Sequence, residues 1–175
     1  LTSWTPIGTY SNGSGIQYTG IFDGGNHTIS GLYCKIANVR NHGVGLVGAL
    51  GEGGRITNLK LTNSYFYCTG TANAMLGSIV GNSKGNIDKV YSDAIVKAEP
   101  SMVGGLVGYN GGAIEISESW FAGSAETAGT TIGGIIGNAV NSATIVNCWH
   151  SGTVYSKYTS SGAYVGGLVG QVTAG

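Results

Sequence analysis

Five segments of this chain repeat one pattern that closes on glycine: Val44-Gly45-Leu46-Val47-Gly48, Gly77-Ser78-Ile79-Val80-Gly81, Gly104-Gly105-Leu106-Val107-Gly108, Gly133-Gly134-Ile135-Ile136-Gly137 and Gly166-Gly167-Leu168-Val169-Gly170. The closing glycines stand 33, 27, 29 and 33 residues apart. A second unit follows the first four copies six to eight residues later: Ile56-Thr57-Asn58-Leu59, Ile87-Asp88-Lys89-Val90, Ile116-Ser117-Glu118-Ser119 and Ile145-Val146-Asn147-Cys148. Later copies add a third: Ala94-Ile95-Val96, Gly123-Ser124-Ala125 and Gly152-Thr153-Val154. A register that returns column by column at such a period is the mark of a solenoid, in which each repeat buries its apolar face against its neighbours.

Residue type decides between helical and β coils. Glycine makes up 33 of the 175 residues, and inside a helix each would cost about 1 kcal/mol relative to alanine. The Val, Ile and Thr between the glycines prefer extended backbone. The expected fold is therefore all-β, a parallel β-helix (β-solenoid) of about five to six coils with 27–33 residues per coil and three short strands in each. Coils would stack about 4.8 Å apart through parallel hydrogen bonding. The first Ile of each second unit is expected to point inward, with Leu59, Val90, Ser119 and Cys148 forming the next inward column. The motif glycines are expected to supply positive φ at corners and close backbone approach. One domain covers 1–175, with 1–34 an irregular N-terminal coil or cap and 35–175 the repeats, the last truncated. The chain reads as an excerpt of a longer polypeptide. Its open C-terminal coil is expected to be covered by further chain or by end-to-end self-association.

Composition excludes several functions. Apolar residues are 42%, enough for a core, while charged residues are 9% and cancel to zero, against about 25% charged in an ordinary soluble protein. No basic stripe follows a phosphate backbone, so no nucleic-acid partner is expected. No run of about 18 apolar residues offers a membrane span. Nor do the glycines form a phosphate loop, since neither a helix pattern nor a lysine-serine pair follows them.

Chemistry-bearing residues are sparse. Cys34, Cys68 and Cys148 have no metal-ligand spacing and read as buried free thiols, a Cys34–Cys68 bridge between coils being the other option. His27, His42 and His150 lie in different units, so neither a metal nor a cofactor site is expected. Asp23 belongs to a turn and is expected to bond local backbone. Asp88 and Glu118 would fall on adjacent coils with Lys89 beside them, and read as a solvated charge pair on the wall. No catalytic residue set emerges, and the chain is not expected to be an enzyme. Binding is better served. Trp120 and Trp149 occupy matching positions on consecutive coils, and Tyr155 and Tyr158 follow. If the tryptophans point outward they form an aromatic strip for a glycan or a peptide; if inward, they are packing.

The repeated Gly-Leu-Val-Gly followed by Ile-x-Asn-Leu or Ile-x-Asn-Cys resembles the GLUG repeat of bacterial surface proteins. Trp4-Thr5-Pro6-Ile7-Gly8, Tyr18 to Gly24 and His27 to Leu32 are similar to the block that often precedes those repeats, with Asp23-Gly24-Gly25-Asn26-His27 in place of its usual Asp-Gly-Asn-Gly-His. The resemblance implies a secreted or cell-surface setting in large multidomain proteins of gut and mucosal bacteria. These include adhesin-like proteins and the non-catalytic regions of immunoglobulin A1 proteases. The expectation is a non-catalytic structural and adhesive module, joined to further domains and contacting a glycan or host-surface ligand. The competing expectation is a polysaccharide-active β-helix enzyme fragment or a non-catalytic protease segment.

Overall fold

A computed structural model describes residues 2–11, 13–37, 41–70, 73–99, 101–159 and 161–173. Its described strands form a parallel β-solenoid of five coils with no helix. Four ladders run its length. The first holds Ile21–Asp23, Arg55–Thr62, Asn86–Ser92, Ile114–Ser117 and Ala143–Val146, extended on the same face by Thr28–Ser30, Trp120–Phe121 and Trp149–His150. The second holds Tyr33–Ala37, Tyr65–Thr69, Ile95–Ala98, Ser124–Thr127 and Thr153–Ser156. Gly43–Val44, Met75–Gly77, Met102–Gly104, Thr131–Gly133 and Tyr164–Gly166 make the third, and Val47–Leu50, Val80–Ser83, Val107–Asn110, Ile136–Ala139 and Val169–Val172 the fourth.

The isoleucine column lies inward as expected, with Ile56, Ile87, Ile116 and Ile145 level with one another. The first three are fully buried. Leu59 and Val90 are level beside them, and Ser119 Oγ accepts the Val90 N–H at 3.0 Å. Cys148 packs against the same core.

Four ladders replace the three strands per coil expected from the repeat. The Gly-Gly-Leu-Val-Gly unit is not one strand. It is the end of one, a corner, and the start of the next, because Gly105 N–H bonds Gly133 O while Leu106 and Val107 N–H both turn to Ile135 O. The corner in the first copy is one residue shorter. There Val44 stands level with Leu76 and Val47 with Val80, so the five-residue motifs do not align position for position.

None of the motif glycines has positive φ; close approach is their role. A β-carbon on closing glycines Gly81, Gly108, Gly137 or Gly170 would run into the backbone of Val44, Leu76, Val103 or Ile132, the third-ladder strand of the preceding coil. At Gly48 the same space is taken by Gly8 and Pro6 of the N-terminal segment. That segment bridges in parallel to the first coil at Ile7–Val47 and Tyr18–Leu50, and the Trp4 indole N–H donates to Leu46 O at 3.1 Å.

Within the second units of the repeats, positive φ falls on residues other than glycine. Asn58, Lys89, Glu118 and Asn147, the third residue of each second unit, have φ of 53°, 53°, 47° and 52°. A left-handed residue breaks the two-residue alternation of a strand. Ile87 and Val90, three positions apart, can then both face the core. Asn adopts this conformation readily, whereas Lys and Glu do so at a cost of about 1 kcal/mol.

Cys34 lies level with Phe66, and Cys68 with Ile36. The two thiols are therefore diagonal across the ladder, too far apart for a bridge. Both are free and buried, and desolvation pushes their pKa values up to about 11 and about 12.

Candidate functional site

Four residues after each inward isoleucine, one outward position recurs on the first ladder. It holds Lys60, Tyr91, Trp120 and Trp149, level with one another on successive coils. Strand alternation sends their neighbours Leu61, Ser92, Phe121 and His150 inward. Leu61, Ser92 and Phe121 are fully buried, while Trp149 is 49% exposed. Both tryptophans thus point away from the core.

The rings stack on each other. Trp120 and Trp149 have centroids 4.7 Å apart and planes within 9°, and Tyr91 meets Trp120 at 4.9 Å with a tilt of 56°. This is the spacing of the coils themselves, and such pairs are worth about 0.5–1.5 kcal/mol beyond their burial. Stacking along the axis leaves Trp120 with a neighbour on either side. At Trp120 a ligand approaching the wall therefore meets a ring edge rather than an open face. The indole N–H of Trp120 has no hydrogen-bond partner among the described residues, and Tyr91 donates its hydroxyl to Asp93 at 3.3 Å.

Beside this ladder lies an open groove of about 290 Å³. Its wall is the edge of Tyr91 and Trp120, and it is lined by Asn26, Asn58, Lys60, Lys89 and Glu118. Four of these, Asn26, Asn58, Lys89 and Glu118, are left-handed residues. The backbone feature that sets the core register thus also presents a row of polar side chains. Lys60 and Glu118 are exposed, and neither lysine forms an ion pair among the described residues. Sequence reasoning missed Tyr91, Lys60 and the two asparagines. The spacing of four from each isoleucine would have found Tyr91 and Lys60.

Tyr155 and Tyr158 are not part of this surface. Tyr155 is exposed on the second ladder, level with Glu126, and Tyr158 follows that strand, lining a shallow pocket with Ser101, Met102 and Thr130. No ring contact joins either to the tryptophans among the described residues. The second ladder has its own outward aromatics, with Tyr33 and Tyr65 stacked at 6.0 Å, and a charge cluster in which Glu126 pairs with Lys97 at 3.4 Å and with Lys157.

The carboxylates stay apart. Asp88 is level with Ser117, so Glu118 occupies the position equivalent to Lys89 on the next coil. Asp88 is not solvated: it is 8% exposed and accepts Arg55 Nε–H at 2.6 Å and the Thr57 hydroxyl at 2.8 Å. The Arg55 hydrogen bond holds its pKa below the ordinary 3.8, against the opposing effect of burial. A pKa lowered in the fold contributes stability that is present above the unfolded value and lost as pH falls through the folded one. Urea midpoints of the wild type should therefore drop below about pH 4, and Asp88→Asn should flatten that acid limb while lowering the midpoint at neutral pH. Asp23, as expected, accepts the Gly25 N–H at 2.9 Å, together with the Asn58 amide at 3.1 Å.

His150 stacks on Phe121 at 5.8 Å, and burial lowers its pKa. Among the described residues no three His, Cys, Asp or Glu side chains gather as metal ligands, and no helix is long and apolar enough to cross a membrane.

The fold and this wall define a parallel β-solenoid repeat with an outward aromatic ladder. No protein-family model matches the chain. It is 36% identical over 87 residues to a Gly-rich membrane protein of Evansella cellulosilytica, covering 50% of this chain and 9% of that protein. It is 34% identical over 110 residues to halomucin of Haloquadratum walsbyi, covering 61% of this chain and 1% of that protein. The chain thus spans under a tenth of the length of these relatives. A crystal structure described as an immunoglobulin A1 protease from Bacteroides ovatus aligns with a TM-score of 0.43 and 16% identity, over 88% of this chain and 68% of the other.

Proposed function

We propose that this solenoid is a non-catalytic spacing and adhesive module of a cell-surface or secreted protein, of the GLUG-repeat kind, and that it holds a glycan in the groove beside its aromatic ladder. The groove itself carries this reading: amide, ammonium and carboxylate groups of Asn26, Asn58, Lys60, Lys89 and Glu118 line one outward channel, edged by Tyr91 and Trp120. Sugars are bound through such convergent hydrogen-bonding groups set against apolar ring atoms. Similarity to halomucin and to a Gly-rich membrane protein supports a surface setting.

An enzyme acting on polysaccharide by hydrolysis needs two carboxyl groups about 5–9 Å apart around the scissile bond. Asp88 is committed to Arg55 and Thr57, and Glu118 is the one carboxylate lining the groove. The test is a panel of immobilised glycans and mucins probed with the wild type and with Asn26→Gly/Asn58→Gly, while released sugar is assayed in the same wells. Glycine keeps the left-handed backbone and removes the amides, including the one Asn58 donates to Asp23; unchanged thermal unfolding of the variant separates loss of the site from loss of that bond. Binding without release, weakened in the double variant, is the expected result. Release of sugar would overturn the non-catalytic half of the proposal. Absence of all binding would overturn the adhesive half and leave a spacer.

A further inference from the structure

We infer that the groove takes an acidic glycan, one whose sugar residues carry carboxylates, with Lys60 and Lys89 receiving the charge. The inference rests on the reading of the groove as a glycan site and names its substrate class.

Charge arrangement carries the argument. Among the described residues four cations have partners: Arg55 with Asp88, Lys97 and Lys157 with Glu126, and Lys35 over the Tyr67 ring at 5.9 Å. The two lysines that line the groove form no ion pair there, nor does the half-buried Lys84 in the corner before Asn86–Ser92. Lys60 is level with Tyr91, and Lys89 lies two residues before Tyr91 on that strand, so both ammonium groups flank the aromatic edge. Glu118 is the one carboxylate lining the groove, and it makes no ion pair with either lysine among the described residues. The lining is therefore net positive in a chain whose formal charge is zero.

Unpaired ammonium groups beside amides suit a ligand that alternates carboxylate and hydroxyl, as an acidic polysaccharide does. Lys60 and Lys89 would donate charge-assisted hydrogen bonds to carboxylates. Asn26 would meet hydroxyls through both amide donor and acceptor, and Asn58 through its amide oxygen and the N–H not given to Asp23. The left-handed backbone at Lys89 has a place in this account. Lysine is a costly choice there, and two of the equivalent positions hold asparagine. The position gives a side chain that leaves the wall just where the groove opens.

The probes are polygalacturonate, hyaluronan and polysialate, with fully methyl-esterified polygalacturonate as the neutral control on the same backbone, measured by titration at low and at moderate salt. The wild type is expected to bind at least one acidic probe, to lose affinity with added salt, and to ignore the ester. Lys60→Gln and Lys89→Gln should each weaken binding about threefold and the pair about tenfold, the scale of exposed charge contacts. Glu118→Gln should strengthen it by removing a like charge. Unchanged thermal unfolding of the lysine variants separates loss of charge from loss of fold. Equal binding of acid and ester, unaffected by the lysine variants, would overturn this inference and leave the glycan site standing. Binding of neutral glycans alone would do the same, and binding of no glycan at all would overturn both.

Discussion

Gly137→Ala lowers the stability of this protein by about 3 kcal/mol or more, the upper range for forcing an extra carbon into a packed interior. The added β-carbon would sit 2.6 Å from both Gly108 O and Val103 O. Neither is the tip of a flexible side chain. Gly108 O belongs to the ladder strand of the coil below, and Val103 O to the strand facing it, so relief requires two ladders to separate. Gly167→Ala is the matching control, because no atom lies within 4 Å of its β-carbon. It should leave stability unchanged, or raise it slightly by restricting the unfolded chain. Chemical denaturation followed by far-ultraviolet circular dichroism measures both. Equal midpoints for the two variants would refute the close-approach account of the motif glycines.

Phe121→Ala should cost about 3–5 kcal/mol, as expected for a fully buried aromatic ring. Phe121 has no exposure, stacks on His150, and fills space that side chains at Gly105 and Gly123 would otherwise occupy. Removing the ring leaves a cavity bounded by backbone that cannot collapse into it. In a solenoid the loss falls on one coil and its two interfaces. Hydrogen exchange should accordingly show amides of residues 143–156 losing protection before those of residues 55–69. A loss of less than about 1 kcal/mol, or uniform loss of protection, would contradict this packing.

Much of the architecture was legible because it is written as recurrence. Ile56, Ile87, Ile116 and Ile145 return at the coil period, and an inward column is the arrangement that buries all of them together. Ala94–Val96, Gly123–Ala125 and Gly152–Val154 lie level in the structure, as their spacing indicates. The matched pair Trp120 and Trp149 was legible for the same reason. Tyr91 is less legible because its column holds lysine, tyrosine and tryptophan rather than one residue type. Tyr155 and Tyr158 were grouped with the pair by nearness in sequence, yet the chain turns a corner after Trp149 and carries them to another face.

The amino-acid sequence by itself determined the period, the β class and the identity of the core columns. These follow from residue type and spacing alone: glycine and β-branched residues exclude helix, and apolar residues at a common offset must share a side. Only the tertiary structure decided what lies beside what across coils. Coil lengths vary between 27 and 33 residues, so cross-coil partners depend on where corners absorb the difference, and a shift of one residue turns a side chain to the other face. That register parts Cys34 from Cys68, buries Asp88 against Arg55 rather than leaving it solvated beside Glu118, and puts the positive φ on Asn58, Lys89, Glu118 and Asn147 instead of the motif glycines. Ring orientation was settled the same way. Coils one ladder spacing apart bring Trp120 and Trp149 face to face, and so turn the edge of Trp120 toward the groove.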